Sequence, residues 1–225
     1  MAHELVPQNT EVPYDVWCHV IDMLPTLDDL DWLPFSLSDT LRACALVRRD
    51  WLPRARKHLY KEIHLHRRSM YSALCRTLVE SPELGTLIQE LHWYMRRHPE
   101  PQPGIASTED WGNVPLTPFA ISRLTNLRVV AATSALMIPP PPSFLPFARS
   151  FGCCQTLRTI QFQDVVFPSM QEVLRTVWSL PAITTLVLIS CRYPDHPGDT
   201  VNEDEYPDRC RNLSEVIVSL FYDTN

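Results

Sequence analysis

The chain has 225 residues, 45% hydrophobic and 20% charged, a composition that can bury a sizeable core and is not that of a disordered segment. A net charge of −6 argues against bulk nucleic-acid affinity, although positions 42–68 carry nine Lys/Arg against Asp50 and Glu62. That stretch is therefore +7 and the remainder −13, which suggests two parts with different work.

Five glycines stand against 21 prolines, and Gly85, Gly104, Gly112, Gly152 and Gly198 are all isolated. No GxGxxG, P-loop or GxSxG elbow can be written, because each needs clustered glycine to bring backbone up to a ligand. Seven cysteines (18, 44, 75, 153, 154, 191 and 210) form an odd set without framework spacing. The first residues lack the basic and apolar regions of a signal peptide, and no 18-residue apolar run exists. The expectation is a reducing compartment, cytoplasm or nucleus, with buried thiols and no membrane span.

Residues 1–11 read as a loose arm. Val12-Pro13-Tyr14-Asp15 reads as a helix start, with Pro13 in the first turn and Asp15 near the positive end of the dipole. Val16, Val20, Met23 and Leu24 recur at helical spacing with Trp17 and Ile21 alongside, and Pro25 marks the end. Residues 26–40 read as a loop, with Ser38 or Asp39 capping the next helix. That helix is predicted over 41–52. At about 100° per residue, Leu41, Cys44, Ala45, Val47, Trp51 and Leu52 share one arc. Arg48 falls inside this arc and Leu46 on the polar side. Pro53 ends the helix or begins a shorter one, Arg54 to Leu59. Residues 60–66 alternate as a strand, with Tyr60 as its lead-in.

The run Val12-Pro13, Val16, Val20, Ile21, Leu24, then Leu41…Cys44…Leu46-Val47-x-Arg49-x-Trp51, then Leu59-Tyr60 resembles the F-box, and looks most like F-box proteins of higher fungi. The F-box is a helical module that docks onto the Skp-family adaptor of cullin–RING ubiquitin ligases. The resemblance covers 12–60, about a fifth of the chain. Val12 stands where the family usually has Leu, and Arg48 where it usually has Cys. The resemblance implies adaptor contacts among Val12, Pro13, Val16, Ile21, Leu41, Leu46, Val47 and Trp51, with Trp51 and Val47 the first candidates for core instead.

Beyond residue 67 the pattern changes. Met70, Tyr71, Leu74, Cys75, Leu78 and Val79 predict an amphipathic helix stopped at Pro82. Five copies of an LxxLxL-like motif follow, opening at Ile88, Leu127, Leu157, Ile183 and Leu213, with spacings of 39, 30, 26 and 30 residues. They resemble irregular leucine-rich repeats, in which the motif forms a short strand on a concave face. Ser169-x-x-Glu172 is a capping box and predicts a helix over 169–179. Shorter helices are expected over 118–124 and 144–151. Prolines dominate 98–118 and 139–142, and acids dominate 193–209. The fifth copy has no polar cap after it and reads as uncapped or truncated.

The expected fold is therefore mixed α/β. A helical F-box-like module at 12–60 is followed by a short leucine-rich-repeat arc at 61–225, with parallel strands on the concave face and helices on the convex face. The implied function is substrate reception in a Skp–cullin–F-box ubiquitin ligase, by binding and proximity. The partners are the adaptor, through it the cullin–RING ligase, and an unknown protein substrate, without nucleic acid or membrane. No catalytic group, cofactor or metal is assigned. Cys191, His196 and Cys210 lack zinc-signature spacing. His64 and His66 share a strand face with no carboxylate pair assigned to them. Two alternatives stay open: a stand-alone repeat scaffold that has lost the adaptor, favoured by Arg48 and the long 26–40 loop, and an unrecognised enzyme.

Overall fold

The computed structural model describes residues 12–27, 36–95, 118–134, 149–192 and 212–219. The 1–11 arm, the centre of the 26–40 loop, both proline-rich stretches except Pro118, the first part of the 144–151 helix and the acidic stretch with His196 and Cys210 lie outside them. The chain divides into two compact units, Met1–Tyr60 and Lys61–Asn225. It is a mixed helix-and-strand protein with a six-stranded parallel sheet. No helix among the described residues is long and apolar enough to cross a membrane.

In the first unit, α1 spans Tyr14–Met23, α2 Leu37–Val47 and α3 Leu52–Leu59. Pro13 is the N-cap of α1 rather than part of its first turn, and its carbonyl accepts from the N–H groups of Val16 and Trp17. Pro25 sits in a 3-10 turn, Leu24–Leu27, that continues from the helix. The second helix starts four residues earlier than expected. Ser36, not Ser38 or Asp39, is its N-cap, and Asp39 lies in the first turn with Arg42 at 3.0 Å.

The predicted 41–52 helix is two helices. Arg48 is extended (φ −143°, ψ 141°), and a 3-10 turn, Arg49–Trp51, leads into α3. Pro53 supplies the reason. In a continuous helix it would delete the hydrogen bond to Arg49 and crowd that carbonyl. The break at Arg48 moves Pro53 into the first turn of a new helix, where its missing N–H costs nothing. Arg48 thus leaves the apolar arc altogether, and its guanidinium pairs with Asp50 at 3.2 Å in solvent.

The core of this unit is Ile21, Leu41 and Trp51, with Trp17, Leu24, Leu37, Cys44 and Leu59 packed on it. The Trp17 and Trp51 rings lie 5.2 Å apart, within the range of favourable aromatic pairs. Asp22 of α1 is clasped by Arg54 and by His58 Nε2 at 2.9 Å, both from α3. His58, and then Arg54, hold the Asp22 carboxyl below its usual range against a smaller burial effect.

In the second unit the strands run β1 Glu62–Leu65, β2 Glu90–Met95, β3 Val129–Ser134, β4 Thr159–Gln163, β5 Thr185–Ile189 and β6 Glu215–Ser219. They pair in chain order, all parallel. Each of the five LxxLxL-like copies contributes one of β2 to β6. The sixth strand, β1, was missed as a copy because Tyr60 replaces the leading aliphatic residue in Tyr60-x-x-Ile63-x-Leu65. The return segments carry α4 Arg68–Glu80, α5 Pro118–Ser122 and α6 Met170–Trp178.

The strand starts repeat one device. The carbonyls of Lys61, Gln89, Arg128, Arg158 and Thr184 each accept from two consecutive N–H groups of the following strand's start, at 2.7–3.1 Å. Side-chain rungs reinforce this: Asn126 donates to the Thr86 carbonyl, Thr156 to Leu127 and Asn212 to Pro181. After β4 and β5, Asp164 and Ser190 both take positive φ (56° and 51°), which turns the chain off the sheet at matching points.

Alternation sorts the side chains by face. One face holds the rows Ile63–Leu91–Val130–Ile160–Leu186–Val216 and Leu65–Trp93–Ala132–Phe162–Leu188–Val218. From Leu65 and Leu91 to Leu186 most of these are buried, and Phe162 meets Phe167 edge-on at 5.1 Å. Val216 and Val218 are the exception, at 54% and 56% exposure, because β6 is the edge of the sheet.

The returns pack tightly behind this face. A Cβ on Gly85 would strike the Arg123 carbonyl, and one on Gly152 the Ser179 carbonyl, so these two glycines serve close approach between successive returns. In α6, Ser169 Oγ accepts from the Glu172 N–H, and the Glu172 carboxylate pairs with Arg149 and Arg175.

Candidate functional site

Two surfaces stand out, one in each unit. In the helical unit the expected contact residues divide cleanly. Val12 (45% exposed), Val16 (46%), Leu46 (87%) and Val47 (63%) face solvent, as does Pro13. Ile21 (1%), Leu41 (2%) and Trp51 (8%) form the core and offer no surface to a partner. Val47, expected as a core candidate, is open because α2 ends there and the chain turns away at Arg48.

Helix α1 carries two apolar stripes. Trp17, Ile21 and Leu24 face the core. Val16, Val20 and Met23 lie within about 60° of one another on a second, outward stripe, each more than 40% exposed. Val12, just before the helix, is exposed as well. The Tyr14 hydroxyl donates to the Asp50 carbonyl at 3.2 Å, which brings the start of α1 beside the segment that follows Leu46 and Val47.

In the sheet unit, the face opposite the core begins with side chains of distinctive chemistry. Parallel register sets Glu62 beside Glu90 and His64 beside His92. The same face continues through Val129, Ala131 and Thr133, then Thr159, Gln161 and Gln163, to the aliphatic Val187 and Ile189.

Glu62 Oε1 is 3.0 Å from His64 Nε2 and 3.1 Å from His92 Nε2, and Glu90 Oε2 is 3.5 Å from His92 Nε2. The His64 and His92 rings stack at 4.9 Å. His64 Nδ1 is hydrogen-bonded with the Tyr94 hydroxyl at 3.2 Å, and the His66 ring stacks on Tyr94 at 4.3 Å. The carboxylates absent from the reading of His64 and His66 are therefore present. One, Glu62, lies two residues before His64 on the same strand, and the other, Glu90, comes from β2. The signal was a repeated segment, Glu62-Ile63-His64-Leu65-His66 against Glu90-Leu91-His92-Trp93-Tyr94, whose pairing needs the register to become a cluster.

The described cysteines form no disulfide. Burial pushes the Cys154 thiol up to about 12, with Cys153 adding to the effect, and raises those of Cys75 and Cys191. These thiols stay protonated near neutrality, unlike activated nucleophiles. Cys191 Sγ is turned inward onto the carbonyls of Phe162 (3.3 Å) and Ile189 (3.5 Å).

No family model, curated protein or solved structure matches the chain.

Proposed function

We propose that this protein is a substrate-recognition subunit of a Skp–cullin–F-box type ubiquitin ligase. In this reading residues 12–60 are the adaptor-docking module, and residues 61–225 are a leucine-rich-repeat-like arc that receives the substrate. The observation that carries it is the outward apolar surface of the helical unit. Val16, Val20 and Met23 of α1, with Leu46 and Val47 at the end of α2, remain exposed after the core is filled. A helical module with a second unburied apolar stripe is built to lose that stripe to a partner.

The sheet unit supports the receptor half of the reading. Its strands follow chain order with LxxLxL-like spacing, and one face is consumed by the core, which leaves the other for binding. The mechanism is proximity: substrate is held near a ubiquitin-loaded conjugating enzyme carried elsewhere in the assembly. Arg48 does not count against docking, since it is exposed beside α2 rather than inside the helical core.

The test is co-purification and affinity measurement with a Skp-family adaptor. Burying Leu46 on docking contributes about 1.5–3 kcal/mol, so Leu46→Asp is expected to weaken binding about tenfold or more. Failure of the unaltered chain to bind any such adaptor would leave the stand-alone scaffold as the better reading.

A further inference from the structure

We propose that Glu62, His64 and His92 form a site for a divalent transition-metal ion of the zinc class, on the open face at the β1–β2 edge of the sheet. Their ligand atoms all lie within 4.8 Å of one another.

The two carboxylate–imidazole spacings are those of ligands around one ion. Two donors each ~2.0–2.1 Å from a tetrahedral ion stand ~3.3 Å apart, and closer at smaller angles. Glu62 Oε1 lies 3.0 and 3.1 Å from the two imidazole Nε2 atoms. His92 Nε2 is sealed from solvent and has no aligned hydrogen-bond partner among the described residues, despite that nearby oxygen. An Nε2 aimed beside a carboxylate rather than at it fits a shared third atom better than a hydrogen bond.

The surroundings fit as well. With Nδ1 of His64 donating to the Tyr94 hydroxyl, Nε2 is left as the free lone pair a metal requires. Glu62 and Glu90 are direct register partners on one face, and like charges placed so repel. A cation between the strands removes that repulsion, and Glu90, 3.5 Å from His92 Nε2, is a nearby additional carboxylate.

Two imidazoles with carboxylate select zinc and its transition-metal neighbours over magnesium or calcium, which prefer all-oxygen sites. The side chains of Glu62 and His64 are 45% and 42% exposed, so an ion reaches the site from solvent and keeps a position for water or a partner's ligand. The inference is independent of adaptor docking, which belongs to the other unit.

The experiment uses the full chain stripped with a chelator. It is titrated with Zn²⁺ in competition with a chromophoric chelator, and with Co²⁺ by visible absorption. The expected result is one equivalent bound, with a Co²⁺ spectrum of imidazole–carboxylate type, and no displacement by excess Mg²⁺. His92→Gln and Glu62→Gln, checked for folding by circular dichroism, should abolish that equivalent. Tyr94→Phe removes only the phenol behind His64 and should weaken binding about 10–100-fold. This variant keeps the test decisive if the others unfold. Cys191→Ser should change nothing. Absence of a bound equivalent, unchanged binding in a folded His92→Gln, or unchanged binding in Tyr94→Phe would each overturn the proposal, as would loss of the equivalent in Cys191→Ser.

Discussion

The helical unit and the sheet unit spend their apolar residues in opposite ways. Three helices enclose only a small centre, Ile21, Leu41 and Trp51 with their neighbours, and leave a row of valines, Met23 and Leu46 in water. Along the sheet, the aliphatic and aromatic rows from β1 to β5 are drawn into the core, and the opposite face starts with glutamates and histidines. A short helical module has too little interior for two apolar stripes, whereas each added strand and return enlarges a shared interior. The surplus in the first unit therefore stays exposed, while the second unit exposes a face that begins with glutamate and histidine.

The contrast is sharpest at Phe162, which is 1% exposed. Phe162→Ala should cost about 3–5 kcal/mol in denaturant unfolding; a cost below about 1 kcal/mol would show that the sheet core is not closed. Gly85→Ala tests the tight packing of successive returns, since the new methyl meets the Arg123 carbonyl backbone. A loss of about 1–3 kcal/mol is expected, and an unchanged melting temperature would contradict that close approach.

A third test uses acid. Burial opposes ionisation of Glu172, but Arg175 and Arg149 outweigh it and hold the carboxyl below its usual range. Its folded pKa lies below the unfolded value of about 4.3. The stabilisation is then fully present above that value and is lost as pH falls through the lowered folded one. Glu172→Gln should flatten the fall of stability between about pH 5 and pH 3, and an unaltered acid limb would remove the pairing from α6.

The smallest effect is the most telling for the helical unit. Leu46→Asp and Val16→Ser should each change stability by no more than about 0.5 kcal/mol, because both residues are open in the free chain. A loss above about 2 kcal/mol in either would mean that the outward stripe is core, and the comparison between the units would fail.

Much of the fold was legible because local physics dictates it. Period-two alternation with LxxLxL spacing marked β2 to β6, and the Ser169–Glu172 box marked the start of α6. Pro53 was recognised as a boundary, yet the place of the break was not, since a residue such as Arg48 fits either a helix or an extended link and Pro53 alone decides in favour of the link. Of the eight residues read as adaptor contacts, Ile21, Leu41 and Trp51 proved to be core. Helical periodicity places apolar residues on stripes, but both stripes of α1 satisfy the same 3.6-residue period.

By itself, then, the sequence determined the kind and approximate place of most helices and strands but not their boundaries, that the chain carries no clustered glycines to cradle phosphate, and which residues are apolar enough to be either core or contact. Only the tertiary structure decided between those last two, because burial depends on which neighbours arrive and how much interior they enclose. It alone made a cluster of Glu62, His64 and His92, since two glutamate–histidine segments 28 residues apart meet only when β1 and β2 pair in register.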